Sequence, residues 1–244
     1  MDQKIAYIPF SFPHLPRTRC AFAYGPGPSG LGGNLSLRGP DKEAALANRR
    51  RLKAALGFSG WRSLAQVHGT DMVFDPKEDS LETGGRREAD GLATDRTGDA
   101  LVIKTADCQP ILLASRDGGV VAALHAGWRG SVADFPGKGV AAICERYALE
   151  PADLMAVRGP SLGPGASEFT RFEEEFGEAF RPYYSPETRT VDLWRLTRDQ
   201  LLAAGLRPDA IFSLDLCTRS LPEFFSYRRD RTAGRQVSCI WKTA

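Results

Sequence analysis

A chain of 244 residues with 42% hydrophobic and 25% charged residues can close one large core, or two small ones, without disulfides. Its net charge of +2 is nearly balanced, and no Lys/Arg run or aromatic–basic interleaving marks a nucleic-acid-binding arm. No apolar run approaches the roughly 20 residues of a membrane helix, and MDQKIAYIPFSFPHLPRTR lacks the basic-then-apolar pattern of a signal peptide.

In chain order, GPGPSGLGG at 25–33 is too rich in Gly and Pro for a regular element and reads as a loop. PDKEAALANRRRLKAALGF predicts a helix over about 41–56, with Leu46, Leu52 and Leu56 at helical spacing, Asp41 as N-cap and Gly57 just past the end. Five β-like segments follow, at 64–67, 71–75, 100–104, 111–114 and 119–125, and 76–89 reads as a surface loop. A helix is expected from about Ser131 to Tyr147, kinked or restarted near 137 by Pro136 and Gly137. Then come a strand at 154–158, a helix over 171–180 with Phe172, Phe176 and Phe180, and an amphipathic helix over 192–205 that stops at Gly205. Strands at 211–215, 224–228 and 236–242 complete the list. Hairpin-like pairs mixed with helices, with no repeat and no shift of composition, predict one α/β domain over 1–244 with a mixed sheet. Five scattered cysteines (Cys20, Cys108, Cys144, Cys217, Cys239) without a CxxC read as reduced thiols and point to the cytoplasm.

Three donors share one local design. His68 in AQVHGTD, Cys108 in KTADCQP and His125 in VVAALHAGWRG each sit at the end of a β-like run, beside Gly69, Pro110 and Gly127. Two His and one Cys suit Zn²⁺ with a fourth position open, the pattern of a catalytic site, and their spacing resembles no zinc finger. The same residues also read without metal, as a Cys108 nucleophile with His125 as its base and Asp107 orienting a histidine or accepting a proton. A third reading makes Cys108 a small buried residue and the histidines strand caps. Because a zinc-bound thiolate is a poor nucleophile, the first two readings compete. Arg129 and Arg228 stand beside glycines and aromatics that suit an anion such as phosphate. Trp128, Phe224, Phe225 and Tyr227 could face a planar ligand or simply pack, and His14 in FPHLP reads as an exposed loop residue.

QVHGTD, ADGLATD, TADCQPILL, HAGWRG, RGPSLG, DLWRLTRDQLLAAG and LCTRSLPEFFSYRRDRTAGRQVSCI occur in this order, after NLSLRGPDKEAALANRRRL. Together, over about residues 20–241, they resemble the YfiH family, also described as polyphenol-oxidase-like laccase-domain proteins. The resemblance implies a single α/β domain of layered α-β-β-α architecture, related to cytotoxic necrotizing factor catalytic domains. It implies a metal site on His68, Cys108 and His125, and a zinc-dependent purine nucleoside phosphorylase that also deaminates adenosine. Its partners would be a purine nucleoside and phosphate, with no nucleic acid and no membrane; no oligomeric state is legible. Under that activity Cys108 and His125 belong to the catalytic group with Asp107 as a proton carrier, Arg129 or Arg49 binds phosphate, and Arg228, Gln66 and Asn34 contact substrate. Copper-dependent phenol oxidation has also been claimed for the family, but three histidines cannot furnish the imidazoles of several copper ions, which ranks copper behind zinc. The alternatives are a Cys-His hydrolase or amidase that edits peptidoglycan precursors, and an inactive zinc-binding regulatory protein. Two departures from the family pattern bear on the substrate more than on the metal. FAYGPGPSG places Tyr24 near where relatives carry an arginine, and PGASEF replaces a Cys-aromatic-Glu sequence.

Overall fold

The computed structural model describes residues 5–25, 33–38 and 41–243. The chain runs β1 (Ala6–Phe10), β2 (Thr18–Tyr24), α1 (Lys42–Leu56), β3 (Gly60–Ser63), β4 (Met72–Phe74), β5 (Gly91–Thr94) and β6 (Asp99–Thr105). It continues through β7 (Gln109–Ser115), β8 (Val121–Ala126), α2 (Trp128–Val132), α3 (Phe135–Tyr147) and β9 (Leu154–Arg158). Last come α4 (Phe172–Glu175), β10 (Tyr184–Ser185), β11 (Thr190–Val191), α5 (Leu193–Ala203), β12 (Ile211–Ser213) and β13 (Gln236–Lys242). Two mixed sheets result, ordered β1-β2-β13-β6-β3 and β12-β9-β7-β8-β5-β4, beside the short β10-β11 pair.

Alternation along the strands builds the layers, because successive side chains point to opposite faces. Leu112 and Ala114 of β7 face Leu101 and Ile103 of β6 and Ile240 of β13 in a core between the two sheets. Their neighbours Ile111 and Leu113 pack instead with Phe135, Val140 and Ile143 of α3 and Leu201 of α5. On the far side, Ala100 and Val102 of β6 and Val237 and Cys239 of β13 meet Leu52 of α1, with Leu46 and Leu56 packed against them. The architecture is therefore α-β-β-α, as the family resemblance implies, in one mixed α/β domain. All five cysteines are free thiols, and among the described residues no helix is long and apolar enough to cross a membrane.

Several local expectations shift. The 25–33 loop lies mostly outside the described residues. Gly57 closes α1 in the left-handed region, φ 74, with its N–H on the Lys53 carbonyl, whereas the Asp41 side chain makes no capping bond. The helix expected from 131 is two helices. Asp134 (φ 54) turns the chain and accepts the Gly137 N–H, and Pro136 falls in the first turn of α3, where its missing N–H costs nothing. The 171–180 helix stops after one turn, because Gly177 takes φ 84 and a 3₁₀ segment follows. The 64–67 strand is displaced to β3, since Gln66 gives its amide to the Lys104 backbone (Oε1 to N–H 2.9 Å, Nε2 to carbonyl 2.7 Å). The 224–228 strand is a series of turns, with the Phe225 N–H on Gln236 Oε1 and the Arg228 N–H on Asp107 instead of on a ladder.

Candidate metal centre

The two sheets bring three separate segments to one edge of the inter-sheet core. His125 shares the β8 face of Ala123, which belongs to that core, and is 3% exposed. β7 pairs Pro110 with His125 and Gln109 with Ala126, so Cys108 arrives beside the chain leaving β8. His68 comes from the segment after β3 and holds φ 62, a left-handed conformation that costs a non-glycine residue roughly 1–2 kcal/mol. The Cys108 Sγ and His68 Nε2 lie 3.7 Å apart, and the two imidazoles meet edge-on with centroids 4.8 Å apart. The donor atoms of all three residues lie within 4.8 Å of one another.

Asp90 holds this arrangement. Its buried carboxylate accepts the backbone N–H of Val67 (3.2 Å), His68 (3.0 Å) and Gly69 (2.7 Å), a nest of successive amides around one negative charge. It also meets His125 Nδ1 at 2.7 Å, while its own carbonyl takes the His125 N–H. With Nδ1 donating to Asp90, the lone pair of His125 sits on Nε2, toward Cys108 and His68. Burial alone would raise the Cys108 thiol, but the neighbouring imidazoles, His125 foremost, outweigh it and bring it down to about 6. Burial would lower His125, yet the Cys108 thiolate and Asp90 push it up to about 9. The centre thus favours a thiolate, and an entering cation would compete with the imidazole proton. A thiolate, two imidazole nitrogens and a fixed tautomer fit a borderline-soft divalent metal. Gly127 keeps the group tight, since a Cβ there would lie 2.8 Å from His68 Cδ2 and 3.2 Å from Cys108 Sγ.

The centre opens into a cavity of about 1590 Å³. Arg129 lines it, exposed, with its guanidinium 4.3 Å over the Trp128 ring, and Trp128 in turn packs on Phe169 and Phe176. Arg228 also lines it, 5.0 Å over Phe169, and Tyr227 stands 44% exposed beside it. Asp107 (φ 90) lines the cavity with no hydrogen bond to either histidine; its two oxygens accept the Thr218 hydroxyl and the Arg228 N–H, tying both ends of the 218–228 turns to the cavity wall. The remaining three candidates also line the cavity, and each makes hydrogen bonds within the fold. Asn34 Oδ1 accepts the N–H of Ser36 and of Arg235. Gln66 clamps Lys104. Arg49, 1% exposed, donates to the carbonyls of Leu35, Ser80 and Leu81. Sequence pattern assigns no role to Asp90, the second residue of the ADGLATD segment, one residue before β5, the strand that pairs with β8.

A family model described as multi-copper polyphenol oxidoreductase laccase matches residues 29–243. The chain belongs to this family. Within it, the chain is 36% identical over 223 residues to a Xylella fastidiosa protein named purine nucleoside phosphorylase, covering 86% of this chain and 84% of that one. It is 35% identical over 206 residues to the Escherichia coli purine nucleoside phosphorylase YfiH, covering 80% and 79%. The crystal structure of YlmD from Geobacillus stearothermophilus superposes with a TM-score of 0.83 at 30% identity, covering 96% of this chain and 94% of that one. The family name notwithstanding, this member has three histidines, and His14 lies in an exposed turn beside a separate hollow lined by Arg17 and Asp117. Two imidazoles and one thiolate at the centre match a single ion.

Proposed function

We propose that the protein is a zinc-dependent purine nucleoside phosphorylase that also deaminates adenosine at the same centre. The observation that carries this reading is the convergence of His68, Cys108 and His125, locked by Asp90, on a cavity large enough for a nucleoside and a second small reactant. The names of the relatives supply the substrate class. Zinc held by these three residues would supply a Lewis acid that polarises a substrate oxygen or lowers the pKa of water.

The rest of the chemistry falls to the chain. Asp90 keeps His125 in one tautomer and His68 in its left-handed turn, so neither ring has to reorganise when substrate enters. Trp128 and Phe169 offer apolar faces for a planar base, and Arg129 and Arg228, each lying over one of those rings, add positive charge beside it. Asp107 spends one lone pair of each oxygen on the 218–228 turns and keeps the others for a proton during deamination.

Incubation of the zinc-loaded protein with inosine and phosphate is expected to give free base and ribose-1-phosphate, with neither formed when phosphate is omitted. Adenosine without phosphate is expected to give inosine. Chelation should abolish both. Turnover that survives chelation would favour metal-free Cys-His chemistry, which the lowered Cys108 thiol would support. Zinc bound with no nucleoside turned over would favour a regulatory protein.

A further inference from the structure

The lining of the cavity carries positive charge that the fold does not neutralise. Lys104, half-buried near the end of β6, donates from Nζ to the Leu64 carbonyl at 2.7 Å. Arg49 is buried against the carbonyls of Leu35, Ser80 and Leu81, with its guanidinium 5.3 Å over the Trp61 ring. Neither forms an ion pair with a described carboxylate. Arg38, exposed, lines the same cavity and lies near enough to Lys104 to repel its charge. Burial, with repulsion from Arg49 and Arg38 added, brings the Lys104 ammonium down to about 7, and burial lowers Arg49 to about 10. Cations held out of water with no carboxylate partner are costly unless an anion completes them. Arg129, by contrast, is exposed to solvent and needs no counter-ion.

Lys104 is also tied to the metal centre. Its backbone N–H and carbonyl are both held by the Gln66 amide, and its ammonium by Leu64, so three hydrogen bonds fix residue 104 to the segment that ends in His68. An anion bound there would be held in register with a substrate at the centre.

We propose that Lys104 and Arg38, backed by Arg49, form an oxyanion subsite of the cavity that takes inorganic phosphate. The assignment of that phosphate as co-substrate rests on the phosphorylase reading above; the subsite itself does not. In that reaction a phosphate oxygen forms the bond to the ribose C1′, the C1′–N9 bond breaks, and the base leaves carrying the proton given up by hydrogen phosphate.

The test is calorimetric titration of inorganic phosphate into the zinc-loaded protein, alongside Lys104→Met, Lys104→Arg and Arg38→Gln, with a nucleoside monophosphate as a parallel ligand. Loss of a charge-assisted contact is expected to weaken phosphate at least ~10-fold in Lys104→Met and ~3–10-fold in Arg38→Gln, with Lys104→Arg within ~3-fold of wild type. In phosphorolysis assays the phosphate KM should rise in parallel while the nucleoside KM stays within ~2-fold. Circular dichroism and zinc content identify any variant that has lost its fold, and Arg38→Gln, at an exposed position, carries the test if Lys104→Met does not fold. Lys104-dependent phosphate binding without any nucleoside cleavage would uphold the subsite and overturn the phosphorylase reading. Phosphorolysis with an unchanged phosphate KM in both variants would overturn the subsite and leave that reading standing. A monophosphate that binds through Lys104 while inorganic phosphate does not would overturn the choice of ligand.

Discussion

Asp90→Ala is expected to lower folding stability by about 3–5 kcal/mol, the cost of breaking a buried charged pair, and to weaken metal binding about 10–100-fold. The carboxylate has no exposed surface and receives four donors: three consecutive backbone amides and His125 Nδ1. Alanine removes every acceptor at once. The amides of 67–69 lose the anion around which they turn, the strained φ of His68 loses its restraint, and the imidazole of His125 is free to change tautomer. Asp90→Asn keeps one acceptor oxygen but sets an NH₂ group against donors, so it should fall between wild type and alanine. Denaturant unfolding of metal-free protein measures the first effect, and competition with a chromogenic chelator measures the second. A stability within 1 kcal/mol of wild type, with metal affinity unchanged, would remove Asp90 from the account.

Gly127→Ala should separate the centre from the fold. The backbone at 127 is extended, φ −76, so alanine fits the local conformation. The difficulty is space, because the new methyl would come within 2.8 Å of His68 Cδ2 and 3.2 Å of Cys108 Sγ. Overpacking of this kind costs about 1–3 kcal/mol when confined. The cheaper relief is for His68, the exposed member of the triad, to swing away. Metal affinity is therefore expected to fall at least ~10-fold with a stability loss at the low end of that range. Chelator competition and thermal unfolding on the same preparation decide it. A large loss of stability with metal affinity intact would show that the glycine serves packing rather than the closeness of the ligands.

The three donors were legible in the sequence because each ends or flanks a β-like run, and strand ends are where separate segments meet. Cys108 and His125 stand at paired ends of β7 and β8, a hairpin visible in the alternating apolar runs. Asp90 was not legible from pattern. It is brought to His125 by the β5–β8 pairing, and β5, a four-residue GLAT segment, has too little β character to announce itself. The backbone partners of Arg49, Gln66 and Asn34 meet a similar limit. A polar residue in a loop or on a helix can face a ligand or satisfy a distant backbone group, and only the fold shows Arg49 turned onto the carbonyls of 35, 80 and 81. β1 is hidden in the sequence because Pro9 interrupts it, which the sheet tolerates at its edge. The aromatic run at 224–228 misled in the opposite direction, since Phe224 packs on Tyr24 while Tyr227 reaches the cavity mouth, so the run bends instead of extending.

Metal content of the purified protein beside its Cys108→Ser variant, measured with phosphorolysis on the same samples, tests the central claim most directly. One tightly held zinc ion per chain is expected in the parent, with metal and activity lost together in the variant. Cys108→Ser protein that still holds its metal and turns over nucleoside, or a metal-free parent that is fully active, would contradict it.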